Sequence, residues 1–302
     1  MMNLIQKIAA NKIRKEFGGF DKKRDEGQTT PSDIKRFDNI KYGDDPKWPQ
    51  WQLLDVYRPK DVEGKLPVIV SVHGGGWVYG NKDVYQFYCM KLAQRGFAVV
   101  NFSYRLAPEE IFPAAIEDTE KVFNWICNNA DQYGLDLNNV FAVGDSAGAH
   151  LLSLYASAVS NDEYAKNYPF IQKKNLTLRG VALNCGKYKL KVPGDDKNIT
   201  LLVKGYLPHH GTDEELDMVD GSAHVTKNFP PAFVMTCNGD FLYSQADYMT
   251  KALEAAGVQY EYHCYGTDEK PLWHVFHCDP KLEEAVVCND EECAFFKKLC
   301  VN

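Results

Sequence analysis

Apolar runs alternate with amphipathic helical patterns along most of the chain. The strand-like runs are Trp51–Tyr57, Val68–Val72, Ala98–Tyr104, Val140–Val143, Gly180–Asn184, Ala232–Cys237 and Val258–Tyr265. Helical patterns fall between and after them, at about Asp83–Gln94, Ala114–Asn129, Ala147–Ser157, Ser244–Ala256 and Lys281–Leu299. Central runs too apolar to expose either face predict a mainly parallel sheet, class α/β, with helices on both sides. At the N-terminus, Leu4, Ile5, Ile8, Ile13 and Phe17 recur near helical spacing, with Lys7, Lys12, Arg14 and Lys15 between them. A helix packed on its own protein is the plainer reading and a helix lying on a membrane surface the sharper one. From Lys187 to Asn228 the pattern lapses into polar clusters, "PGDD" and "HHGTDEELD". That is too long for a structureless loop in a compact domain. It predicts an insertion with short helices over the C-terminal edge of the sheet, where open α/β folds bind ligands.

Composition narrows the picture. With 302 residues, 45% of them hydrophobic, the chain can bury a large core and is expected to form one domain over 1–302. A formal charge of −7 argues against nucleic acid as a partner and for a small neutral or modestly polar ligand. No uncharged apolar window of about 18 residues exists, so no transmembrane segment is expected. The N-terminus lacks the apolar core of a signal peptide. The nine cysteines are odd in number and contain no CxxC pair, so neither a disulfide framework nor a zinc site is expected. Reduced thiols fit a cytoplasmic location. No cofactor or metal is expected, and self-association is left open. Three glycosylation sequons, at Asn101, Asn175 and Asn198, carry little weight.

The chemistry centres on "NVFAVGDSAGAHLLSLYA", where a short apolar strand runs into Gly144-Asp145-Ser146-Ala147-Gly148 and then a helix. Small residues two positions either side of a serine let the chain cross itself at a sharp turn that exposes the hydroxyl. An inert Gly/Ser turn is the bland alternative. A serine hydroxyl needs a base to take its proton and an acid to orient that base, in the chain order Ser, Asp or Glu, His. Asp240 lies just past the end of the strand in "PPAFVMTCNGDFL" and is better placed than Asp247 or Asp268, with capping of the following helix as its bland alternative. For the base, His274 falls in the loop between the last strand and the last helix, with His277 as runner-up. His263 sits in a strand pattern, and His150 follows the serine by one helical turn and points back into the fold. His209, His210 and His224 lie in the insertion and match no metal-ligand spacing.

Together these residues resemble the hormone-sensitive-lipase-like esterase family of the α/β-hydrolase superfamily. The resemblance rests on "HGGGW" at His73–Trp77, "YRLAPEEIFPAAIED" at Tyr104–Asp118, "GDSAGAH" at Gly144–His150, and "PPAFVMTCNGDFL" followed by "HVF" at His274–Phe276. It implies an α/β-hydrolase fold, with a mainly parallel sheet of about eight strands and a small helical cap from residues 1–30 and 187–228. It further implies Ser146 as nucleophile, Asp240 as acid and His274 as base, with an oxyanion hole from the N–H groups of Gly75, Gly76 and Ala147. His73, Gly74, Trp77 and Asp145 would support that site. The sequence departs from the family pattern at Val275, where glycine usually follows the histidine, and at Gly239, where a hydrophobic residue is common. The expected activity is a serine carboxylesterase on small short-acyl esters, with water as co-substrate and acetyl esters, including acetylated sugars, as a finer reading. Trp48, Trp51, Trp77, Tyr79 and Trp273 offer rings that a sugar or aryl group could stack on. An arylformamidase-like amide hydrolase and a non-catalytic binding protein on the same fold are the alternatives.

Overall fold

The computed structural model describes residues 4–193 and 195–301. Eight strands form one sheet: β1 (Ile34–Lys41), β2 (Leu53–Pro59), β3 (Leu66–Val72), β4 (Ala98–Phe102), β5 (Leu135–Asp145), β6 (Leu178–Asn184), β7 (Ala232–Cys237) and β8 (Tyr260–Tyr265). Their order is β1-β2-β4-β3-β5-β6-β7-β8, with β1 and β2 antiparallel to their neighbours and the remaining pairs parallel. The helices are α1 (Leu4–Asp25), α2 (Lys82–Ala93), α3 (Ala114–Tyr133), α4 (Ala147–Ser160), α5 (Asp162–Ala165), α6 (Lys197–Tyr206), α7 (Asp213–Met218), α8 (Gln245–Ala256) and α9 (Glu283–Leu299).

The continuous apolar runs exist because the sheet has a core on each face. Val68, Val70 and Val72 of β3 point into one, with α3, α4 and α8, whereas Ile69 points into the other, with α2 and α9. Neither face of a central strand meets water, so no polar alternation survives in its sequence. The strand β1 is absent from the sequence reading. Its "IKRFDNIK" pattern is mostly half-buried or exposed and carries charges, as suits an antiparallel edge.

The N-terminal helix runs past Phe17 to Asp25. It packs on its own protein: Ala10 and Ile13 are buried, and Phe17 meets Tyr79 edge-on at 5.9 Å. Arg14 donates to Val78 O and Ala107 O and pairs with Glu109 at 2.6 Å, tying α1 to the loops after β3 and β4. The segment 187–228 holds α6 and α7, and α6 packs on α1. Asp196 caps α6 by accepting from Asn198 and Ile199, and Thr212 and Glu215 close a capping box on α7. Among the described residues no helix is long and apolar enough to cross a membrane. All nine cysteines are free thiols.

Candidate active site

Ser146 occupies the turn between β5 and α4 with φ +53° and ψ −116°, a backbone state that is costly for a residue with a side chain. The flanking glycines are sterically required. A Cβ on Gly144 would lie 2.6 Å from Gly148 O, and one on Gly148 would lie 2.0 Å from Val72 O at the end of β3. The turn is held from both sides: Ser146 N–H donates to Asn184 O at 2.9 Å, and its carbonyl accepts from His150 N–H and Lys187 N–H.

Asp240 follows β7 in a turn closed by its own N–H to Cys237 O. Its Oδ1 accepts from His274 Nδ1 at 2.7 Å and from Leu242 N–H at 2.8 Å, and its Oδ2 accepts from the Thr236 hydroxyl at 3.2 Å. Burial pushes this carboxyl up, but the hydrogen bond and charge of His274 outweigh it and hold Asp240 below its ordinary value. A β-bridge between Gly239 and Trp273 brings the two loops together. There a Cβ at position 239 would meet Leu272 O at 2.2 Å, which explains the glycine. Val275 is left-handed, φ +56°, the conformation that a glycine would adopt without strain.

His277, the alternative base, lies elsewhere. It is wholly buried, its ring packs edge-on to Tyr88, and burial pushes it down to about 3. His150 is also buried, accepting from Trp77 Nε1 and facing Val219 O. His263 stacks on Phe233 in the sheet, and His224 stacks on Tyr164. None of these, nor His209 or His210, lines the cavity described below.

The glycine run after β3 bends through Gly75 (φ +115°) and Gly76 (φ +60°). Gly74 N–H is already engaged, donating to the Tyr85 hydroxyl at 2.9 Å, and that hydroxyl donates to Asp145 Oδ2 at 2.7 Å. Burial pushes Asp145 up to about 6, partly countered by this bond. Gly75 O accepts from Val78 and Tyr79 N–H. His73 donates from Nδ1 to Gly74 O and stacks on Tyr104 at 3.9 Å, and burial pushes it down to about 4, so it braces the loop as a neutral ring.

Ser146, Ala147, Gly76, Trp77 and His274 open onto one cavity of about 440 Å³. Its walls come from α1 (Ile13, Phe17, Phe20), from Lys187 and the turn into α6 (Asp195, Asn198, Leu202), and from Phe241 and Leu242. Of the rings expected to stack on substrate, only Trp77 lines it, and Trp77 is itself stacked on Tyr206 at 4.9 Å. Trp48 and Trp51 stack on each other, Tyr79 is bonded to Asp21, and Trp273 faces solvent, half exposed. The aromatic lining is instead Phe17, Phe20 and Phe241. Tyr85 and Lys187 were not singled out in the sequence, because their partners are distant in the chain or reached through the backbone.

Among the described residues, two groups hold donor atoms near enough to share an ion, Cys185 with Asp240 and His274, and Cys278 with Asp145 and His277. Burial pushes both thiols well above their ordinary value, so each would have to lose its proton against its surroundings.

The BD-FAE family model matches residues 54–253, from β2 into α8. Versiconal hemiacetal acetate esterase of Dothistroma septosporum is 29% identical over 254 residues, covering 77% of this chain and 73% of its own. Carboxylesterase NlhH of Mycobacterium tuberculosis is 30% identical over 213 residues, covering 68% of this chain and 66% of its own. Among solved structures, esterase B from Lactobacillus Rhamnosis superposes with a TM-score of 0.89 at 26% identity, covering 98% of this chain and 96% of its own. A second structure of that enzyme, with a TM-score of 0.88, is of a form inhibited with a C4-C4 SN3 tributyrin phosphonate. On the sheet, the elbow and these matches together, the chain belongs to the BD-FAE family, among the hormone-sensitive-lipase-like esterases of the α/β-hydrolase superfamily, and is a carboxylic ester hydrolase.

Proposed function

We propose that the chain is a serine esterase of small, short-acyl esters, acting through Ser146, His274 and Asp240. The observation that carries this reading is the 2.7 Å Asp240–His274 contact at a cavity that Ser146 also lines. Ser146 attacks the ester carbonyl as His274 takes its proton, and the same histidine then protonates the leaving alcohol. Water repeats the sequence to free the acid. Asp240, ionised and accepting from Nδ1, fixes the tautomer that leaves Nε2 free to act as the base, and it stabilises the imidazolium.

Charge growing on the carbonyl oxygen is met by backbone N–H groups. Gly75, Gly76 and Ala147 are assigned as donors, and Gly74 is removed because its N–H is spent on Tyr85. Losing one such donor typically costs about 10²–10³ in rate. The cavity, at about 440 Å³, is near the small end of ligand sites, which suits a short acyl chain and a compact alcohol. Acetyl esters, including acetylated sugars, are the finer assignment. The helix α1 and the segment 187–228 act as cap elements on a single domain.

The test is Ser146→Ala assayed on p-nitrophenyl butyrate. We expect kcat to fall by about 10³ or more, with unchanged melting temperature and loss of fluorophosphonate labelling. Substantial retained turnover would refute the nucleophile assignment.

A further inference from the structure

The cavity beside Ser146 is lined by both apolar and charged side chains. The apolar ones include Ile13, Phe17, Leu202 and Phe241, and Lys12, Glu16, Asp196 and Asn198 are polar. Lys187 and Asp195, also in the lining, form an ion pair: Lys187 Nζ lies 2.6 Å from Asp195 Oδ1, with the two side chains only 4% and 12% exposed. This pair is tied to the nucleophile. Lys187 N–H donates to the Ser146 carbonyl at 3.3 Å, so the residue's position is set by the elbow itself. Asp195 is fixed in turn by Val192 N–H, which donates to its Oδ2 at 2.9 Å.

Packing alone gives no reason for these charges. An ammonium and a carboxylate taken out of water lose solvation that two apolar side chains of the same size would not lose. What the pair supplies is unused hydrogen-bonding capacity. The ammonium has three protons and Asp195 takes one, while each carboxylate oxygen keeps a second lone pair. A donor and an acceptor therefore stand side by side at the cavity wall, which complements a pair of neighbouring hydroxyl groups, one accepting and one donating.

We infer that Lys187 and Asp195 select esters whose alcohol carries free hydroxyls, a glycerol or sugar ester, with the acyl chain against the apolar side chains of the lining. This rests on the serine esterase reading above and adds the residues that hold the alcohol. It replaces ring stacking as the means of holding a polyol.

The experiment compares glycerol 1-butyrate with n-propyl butyrate, which has the same acyl group and carbon skeleton but lacks both hydroxyls. A hydrogen bond to a charged group predicts a preference for the glycerol ester of about 10- to 100-fold in kcat/KM. Lys187→Met brings that ratio toward one, and Asp195→Asn, which keeps the side chain's size, lowers it as well. Equal kcat/KM for the two esters in the unmodified enzyme overturns the proposal without needing any variant. So does a Lys187→Met enzyme that loses activity on both esters equally and keeps the ratio, because the pair would then only hold the loop. Failure of the unmodified enzyme to cleave either ester overturns the esterase reading as well, and is thereby distinguished from a failure of selectivity alone.

Discussion

Glu292 sits on α9 beneath the elbow, wholly buried. Its carboxylate accepts from Asn184 Nδ2 at 2.7 Å and from the Tyr88 hydroxyl at 3.3 Å, and Asn184 O accepts from Ser146 N–H. Burial pushes the carboxyl from 4.5 up to about 7 against those bonds. Because the folded-state value exceeds the unfolded one, the contribution to stability is fully present below about 4.5 and is lost as pH rises through about 7. At 1.36 kcal/mol per pKa unit, the acid costs the fold about 3 kcal/mol at pH 8 and less than about 1 kcal/mol at pH 5. Glu292→Gln removes the ionisation. Its amide can still accept from Asn184 through the carbonyl oxygen and donate to the Tyr88 oxygen. The variant should therefore gain about 2.5 kcal/mol relative to wild type on going from pH 5 to pH 8, or about 5 °C in melting temperature for a chain of this length. Melting both proteins by circular dichroism at the two pH values tests this. A difference between them that is the same at pH 5 and pH 8 would show that Glu292 does not titrate as its burial requires.

Other substitutions probe the site from different directions. His274→Ala should lower kcat by about 10³ or more, whereas His277→Ala should chiefly lower the melting temperature; equal losses of kcat would sink the base assignment. His277 is held down to about 3, so its contribution to stability is lost as pH falls below the unfolded histidine range, and the Ala variant should lose less stability than wild type between pH 7 and pH 5. At Val275, Gly should be more stable than Ala by about 1 kcal/mol in urea denaturation, since only glycine escapes the left-handed penalty; an Ala variant at least as stable would contradict that. Tyr85→Phe removes the link between Gly74 and Asp145, and kcat on p-nitrophenyl butyrate should drop about tenfold with little change in KM. An unaltered kcat would mean the glycine loop holds its shape without the phenol.

What the sequence disclosed followed from how local each signal is. The run "AFVMTC" marks β7 at both ends, because a strand buried on both faces is apolar throughout. The elbow was legible for a similar reason: Gly144 and Gly148 are demanded by backbone contacts within a few residues of Ser146 or at the adjoining strand end. Edge strand β1 was not legible, since half-exposed positions tolerate charge and erase the alternation. The apolar spacing was readable as far as Phe17, and α1 continues to Asp25, where Arg24 pairs with Asp21 and Asp25 and bonds Val84 O. Of the aromatic rings singled out, only Trp77 lines the cavity, because a tryptophan signals burial or stacking without saying on what. Trp48 and Trp51 satisfy each other. Lys187 and Tyr85 are readable only in three dimensions, because their contacts with Ser146 and Asp145 depend on β6 and β3 flanking β5 in the sheet.

The walls of the cavity are recruited from residues as far apart as Ile13 and His274. The serine elbow and the histidine loop hang from the sheet, but the α1 wall rests on α2, α6 and side-chain ties such as Arg14 to Glu109. Its release would leave every strand paired and the Asp240–His274 contact intact, yet remove the side of the cavity that Ile13, Phe17 and Phe20 line. The shape of the cavity thus depends on how one helix is docked as well as on the stability of the sheet.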